Sequence, residues 1–193
     1  MAKITFTKNT FTPLNQTEFK KVCVWRVEET QRKYAKNIRS YDYQIFALTM
    51  LKLKLNKNGS IPKNLNRAFE IKGAKIDERY LKEYARVSYI LDNKYRFYIR
   101  YVESYGSKYI NVSILPCDAQ GYTHGECYEH SLYLREELVN EQDFNERIEK
   151  EINSLREYQK GDIALLKAIP SVAKQIEKLD LKGLYATTVQ KWF

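Results

Sequence analysis

The sequence predicts an α+β fold: an antiparallel meander of three to four strands, at about residues 84–135, flanked by two N-terminal and two to three C-terminal helices. Residues 84–115 alternate apolar and polar side chains, which is the pattern of half-buried strands. Apolar residues spaced by three and four lie on both sides of this region, as in amphipathic helices. Segments rich in Asp, Asn, Gly and Ser separate the alternating runs, as hairpin turns require.

The predicted strands cover residues 84–91, 95–102, 108–115 and 128–135, with turns at 91–94 and 104–107. The inward set contains Ala85, Val87, Tyr89, Leu91, Tyr95, Phe97, Ile99, Tyr101, Ile110, Val112, Ile114, Leu132 and Leu134. The outward face of the first three strands presents Arg86, Arg96, Tyr98, Arg100, Tyr109 and Asn111. Arginine binds phosphates and tyrosine rings stack on bases, so this outward face is a candidate binding surface.

Composition predicts one domain over residues 1–193, because 44% hydrophobic and 30% charged residues are ordinary for a globular protein of this length. No run of about 18 apolar residues predicts a membrane span, and the N-terminus lacks a secretory pattern. Three scattered cysteines do not form a disulfide framework. The expected compartment is therefore the cytoplasm, or the interior of a virion if the chain is of phage origin, with no membrane partner.

Charge is divided unevenly along the chain. Residues 1–116 hold 23 Lys and Arg against 10 Asp and Glu, whereas residues 117–193 hold 10 against 14. A basic half favours nucleic acid or an acidic protein as partner, although lysine on solvated faces also serves solubility. A chain with one basic and one acidic part can also attract a copy of itself head to tail.

The N-terminal third is predicted to be an arm followed by helices. Residues 1–14 read as an extended arm or edge strand, and residues 17–56 as two helices, 17–37 and 40–55. Phe19, Val22, Cys23, Val27, Thr30 and Tyr34 keep helical spacing in the first helix. Residues 60–76 form a predicted connector, and its basic residues Lys63, Arg67, Lys72 and Lys75 are a second candidate polyanion contact. Residues 77–83 were expected to make one helical turn.

One segment carries metal-ligand chemistry: Cys117, His124, Cys127 and His130 lie within 14 residues. Two thiolates and two imidazoles can hold zinc tetrahedrally. Their spacing matches no zinc ribbon or knuckle, and in a strand Cys127 and His130 point to opposite faces. We therefore favour a glycine-containing hairpin loop, with a zinc site and a Cys–His nucleophile as alternatives. No other cofactor is predicted.

The C-terminal third is predicted to be helical over residues 140–180, with Asn140 as N-cap and a stripe of Phe144, Ile148, Ile152 and Leu155. Gly161 is expected to end the first helix and Pro170 to stop or kink the second. Residues 181–193 form a tail, whose Trp192 and Phe193 need an apolar surface on this chain or on a partner.

No phosphate-cradling loop, nucleophile elbow or metalloprotease motif is present. The sequence therefore predicts a non-enzymatic protein that self-associates or binds other proteins through its arm, tail and uneven charge. Abundant Lys, Asn, Ile and Tyr fit an AT-rich genome, and a structural or accessory component of a phage or mobile element is one expectation. The alternative is a nucleic-acid-binding module that uses the outward Arg and Tyr face.

Overall fold

The structure is a computed structural model that describes residues 16–63, 65–77, 87–134, 138 and 140–178. The described chain contains two long helices, α1 (Gln16–Met50) and α2 (Glu141–Lys178), and a 3-10 turn at Leu65–Arg67. The strands are β1 (Leu51–Leu53), β2 (Phe69–Ile71), β3 (Lys75–Ile76), β4 (Val87–Leu91), β5 (Tyr95–Ser104), β6 (Ser107–Pro116) and β7 (Tyr128–Tyr133). The α+β class predicted from the sequence is confirmed.

Helix α1 is one helix of 35 residues, so the prediction of two N-terminal helices is wrong. The segment from Lys36 to Ser40 contains neither glycine nor proline, and a helix propagates through such residues without a break. The helix also ends earlier than predicted. Residues 51–53 leave it as β1, because alternating Leu and Lys suit a strand with one buried face.

Helix α2 is likewise continuous over 38 residues and passes through both Gly161 and Pro170, so the prediction that these residues divide it is wrong. The predicted N-cap is confirmed, since the Asn140 side-chain oxygen accepts a hydrogen bond from the backbone N–H of Asp143 at 2.9 Å. Phe144, Ile148 and Ile152 are buried, as the predicted stripe requires. Apolar residues keep helical spacing beyond Pro170, and this favours one continuous helix with one apolar face.

The strands form two antiparallel sheets, with orders β1-β2 and β3-β4-β5-β6-β7. The second sheet contains the predicted meander, in register Val87↔Ile99, Phe97↔Ile114 and Ile114↔Tyr128 across its central strands. The three short strands β1, β2 and β3 were not predicted. Residues 78–86, which include the start of the first predicted strand and most of the expected turn at 77–83, lie outside the described residues.

The hairpin turns have the predicted chemistry. Asp92 and Asn93 both have φ of 53°, and Tyr105 and Gly106 have φ of 48° and 75°. Positive φ at both central residues is typical of the turns that match the twist of paired strands. The sequence pattern therefore fixes the register of β4, β5 and β6 at these two turns.

Contacts group the chain into two compact units, residues 36–162 and residues 1–35 with 163–193. In the first unit, the inner face of the five-stranded sheet packs against the adjoining parts of both helices. Phe46 lies 6.0 Å from Phe97, ring centroid to ring centroid, and Tyr43 stacks on Tyr128 at 4.2 Å. Phe69 of β2 lies 5.6 Å from Phe144 and extends this core under the smaller sheet. The second unit, which we call the helical unit, is described over residues 16–35 and 163–178.

Candidate functional site

The helical unit contains an apolar groove of about 670 Å³ along its two helices. We call this surface the helical groove. From α1 it is lined by Phe19, Val22, Cys23, Arg26, Val27, Thr30 and Tyr34. From α2 it is lined by Leu165, Ile169, Val172 and Ile176. The α1 set repeats the stripe expected from the sequence, and the α2 set is spaced by four, three and four residues, as in helices that pack side by side.

The groove carries little charge. Among the described residues, Arg26 is the one charged residue that lines it. Its guanidinium donates a hydrogen bond to Glu29 at 3.0 Å and lies 4.8 Å from the centre of the Trp25 ring. Burial raises the pKa of the Cys23 thiol, so this side chain stays neutral in the groove. The surface is therefore suited to an apolar occupant.

Apolar side chains of this groove remain accessible among the described residues. Leu165 is 49% exposed and Val172 is 46% exposed, although both line the groove. On the neighbouring face of α1, Val24 and Trp25 are each 41% exposed. Large apolar side chains that recur along one stretch of surface usually mark an interaction site.

The outward sheet face differs from the sequence-based expectation at Arg96, which is 1% exposed and not on the surface. Its guanidinium donates to Asp77 at 2.6 Å, to the Ser88 hydroxyl at 3.0 Å and to the backbone oxygen of Gly121 at 2.9 Å. The alternation places Arg96 on the expected face, but Asp77 and the loop after β6 cover it there. This guanidinium is committed to the fold and is not presented to a phosphate.

The rest of that face is mixed in charge. Arg100 is exposed, and Tyr98, Tyr109 and Asn111 are half-buried. The Asn111 side chain donates a hydrogen bond to Glu129 of β7 at 2.7 Å, so a carboxylate lies beside the predicted binding residues. Arg86 lies outside the described residues. The described face therefore lacks the concentrated positive charge that a polyanion site needs.

The four metal candidates do not form a cluster, and the described residues hold no group of three or more His, Cys, Asp or Glu that could bind an ion. Cys117 is buried beside β6, and burial raises the pKa of its thiol, which opposes a thiolate ligand. His124 and Cys127 are exposed on the loop, whereas His130 points to the inner face. The segment forms the predicted loop between β6 and β7, closed by a hydrogen bond from His124 N–H to the Pro116 oxygen.

His130 belongs to a buried polar contact between the sheet and the helices. Its Nε2 lies 3.2 Å from the Glu151 carboxylate of α2, and its Nδ1 lies 3.3 Å from the Gln44 side-chain oxygen of α1. Burial lowers the pKa of His130, and the nearby Glu151 partly opposes that shift. The lowered pKa favours the neutral ring, which lies where β7 meets both helices.

Lysine and arginine concentrate in the smaller sheet and the residues that connect or adjoin its two strands. Residues 51–72, which we call the basic ribbon, contain six cations and one carboxylate, Glu70. The cations are Lys52, Lys54, Lys57, Lys63, Arg67 and Lys72, and all six side chains are exposed. Three of them were predicted as a basic loop, and Lys75 of that prediction is exposed on β3. Lys52 and Lys54 were missed because their segment was interpreted as helix, although its Leu-Lys alternation indicates a strand.

The predicted arm and tail, with Trp192 and Phe193, lie outside the described residues. Neither described helix contains an apolar stretch sufficient to cross a membrane. Comparisons of the chain with family models, with curated proteins and with solved structures find no match to any of them.

Proposed function

We propose that this protein is a non-enzymatic assembly protein that self-associates by packing the helical groove of one copy against the helical groove of a second copy. The observation that carries the proposal is the groove itself, an accessible surface whose described lining is apolar side chains from two helices and one charged residue, Arg26. Burial of apolar surface is the main favourable term in protein association.

A second copy supplies a surface of the right kind. Two packed helices bury one side of each apolar stripe, and a further layer of helix is needed to bury the other side. Two helical units related by a two-fold axis would make a four-helix bundle, in which each copy covers the other with the same residues. Arg26, the one charged residue of the described lining, already has Glu29 as a partner, so burying this part of the lining leaves no uncompensated charge.

The available area is consistent with a dimer of modest affinity. The lining from Phe19 to Tyr34 spans about 24 Å at 1.5 Å per residue, and two helices side by side are about 20 Å wide. One face therefore offers about 500 Å², and two such faces bury about 1,000 Å² in total, near the lower limit for a specific interface. We expect dissociation to be measurable by dilution.

The test is native mass by light scattering during size exclusion over a concentration series. The wild-type chain should approach twice its 22.9 kDa mass at high concentration. Leu165→Glu/Val172→Glu places two charges in the groove at exposed positions and should leave a folded monomer, because each carboxylate would be desolvated in the interface. Ala164→Glu/Ser171→Glu adds the same charge to exposed positions of α2 outside the lining and should remain dimeric.

Two results would contradict the proposal. A wild-type chain that is monomeric at all concentrations has no such dimer, and equal masses for the two double variants would place the contact elsewhere. A variant lacking residues 1–14 tests whether the groove or the predicted arm makes the dimer contact. This variant should still dimerise, whereas its dissociation would assign the contact to the arm.

A further inference from the structure

We infer that the basic ribbon is a second, independent binding surface, which contacts the phosphate backbone of nucleic acid without reading sequence. The inference does not depend on self-association through the helical groove. The proposed nucleic-acid contact is therefore the basic ribbon and not the outward sheet face, where Arg96 is buried against Asp77.

The first strand of the ribbon and the residue after it place lysine on one face. Leu51, Leu53, Phe69 and Ile71 are all buried, so the alternate positions turn outward. Lys52 and Lys54 are successive outward residues, and the backbone N–H of Lys54 continues the ladder by donating to the Ala68 oxygen at 2.7 Å. Outward side chains on one strand recur about every 6.7 Å. Projected on the axis of a duplex, this distance is close to the rise of two nucleotides at about 3.4 Å each.

The charge of the ribbon is concentrated and weakly opposed. Glu70 lies 3.4 Å from Lys52, and this pair is partly solvent-exposed, so the carboxylate offsets one cation. Lys54 adds a second outward cation after Lys52, and Lys57, Lys63 and Arg67 add positive charge in the segment between the two strands. A polyanion would release its condensed counterions on binding such a surface, which drives association at low salt.

The chemistry favours nucleic acid over an acidic protein. Protein interfaces are organised around aromatic or aliphatic anchors and are depleted of lysine. The ribbon contains one aromatic residue, Phe69, which is 1% exposed, and its four strand leucine, isoleucine and phenylalanine side chains face the core. A surface of lysine without anchors matches contacts that follow a phosphate backbone.

The same absence of exposed rings on the ribbon predicts the form of nucleic acid. Binding of single strands gains much of its energy from bases stacked on aromatic side chains. The ribbon offers charge alone, and a duplex has the greater charge density. A mixed-sequence duplex should therefore bind more tightly than a single strand of equal length.

The experiment measures fluorescence anisotropy of a labelled mixed-sequence duplex with full-length protein across a salt series. Lys54→Gln/Lys57→Gln removes two exposed cations of the ribbon. If each contacts one phosphate, the slope of log K against log salt should become about 1.8 less negative, and affinity at about 50 mM salt should fall about 200-fold. Lys150→Gln/Lys160→Gln removes the same charge from exposed positions of α2 and should bind like the wild type.

Three outcomes would overturn the inference: no binding by the wild type at low salt, equal affinity for the two double variants, or equal affinity of the wild type for polyglutamate of the same charge. The last would assign the ribbon to acidic proteins. The Leu165→Glu/Val172→Glu variant should bind the duplex with the wild-type salt slope per chain. Loss of self-association alone therefore leaves this inference standing, and loss of duplex binding alone leaves the dimer standing.

Discussion

Substitution of Asp77 by Asn should strongly destabilise the unit formed by residues 36–162, because it removes the carboxylate charge that lies against the buried Arg96 cation. The two side chains are 1% and 5% exposed and lie 2.6 Å apart. Removing one partner of a buried ion pair costs about 3–5 kcal/mol. Ser88 and the Gly121 oxygen still accept hydrogen bonds from Arg96, so we expect about 3 kcal/mol, the lower end of that range.

Urea unfolding followed by circular dichroism measures this loss. With a slope of about 2 kcal/mol per molar urea, the midpoint should fall by about 1.5 M at unchanged slope. Glu157→Gln is the control, because it breaks an exposed ion pair with Lys160 at 3.8 Å and should cost under about 1 kcal/mol. If Asp77→Asn lowers the midpoint no more than this control, the pair contributes nothing special and the reasoning is refuted. Asp77→Leu/Arg96→Met should recover much of the loss, since it removes both buried charges.

Two further predictions concern α2 and the sheet. Gly161→Ala should raise stability by about 0.5–1 kcal/mol in thermal or urea unfolding, because Gly161 is helical and an added Cβ meets no atom within 4 Å; a loss would contradict the continuous helix. The pKa of His130 is lowered in the fold, so the unfolded chain binds more protons just below its ordinary value of about 6.5, and stability should fall as pH drops through this window. His130→Gln should flatten the urea midpoint between about pH 5 and pH 7, and a slope equal to that of the wild type would reject this assignment.

The meander was predictable because each of its strands combines alternation with a turn of unambiguous chemistry. Phe97, Ile99 and Ile110 are buried as the alternation requires. The three short strands were not predictable in the same way, since two or three residues give too few positions to establish a period. The alternation of Leu51-Lys52-Leu53 does indicate a strand. The apolar residues before it keep helical spacing, however, and favour extending the helix through it.

The helices show the limit of local breaker signals. Gly161 and Pro170 both reduce helix propensity, yet α2 continues through them because apolar spacing continues past both residues and packing can outweigh propensity. For the candidate sites, composition located positive charge in the connector, and helical spacing located the stripe from Phe19 to Tyr34. Alternation alone could not reveal that Arg96 is covered, because the covering groups, Asp77 and Gly121, are distant from it in sequence.

Trp25 can serve as an intrinsic fluorescence probe of the helical unit. Trp25 is the sole tryptophan among the described residues and lies in the helical unit, whereas residues 36–162 contain no tryptophan and absorb and emit through tyrosine. In a Trp192→Phe background, the indole fluorescence would come from Trp25 alone, which is 41% exposed. Residues 36–162 hold 14 of the 16 tyrosines, so denaturation followed by indole fluorescence and by tyrosine absorbance would distinguish one cooperative transition from two.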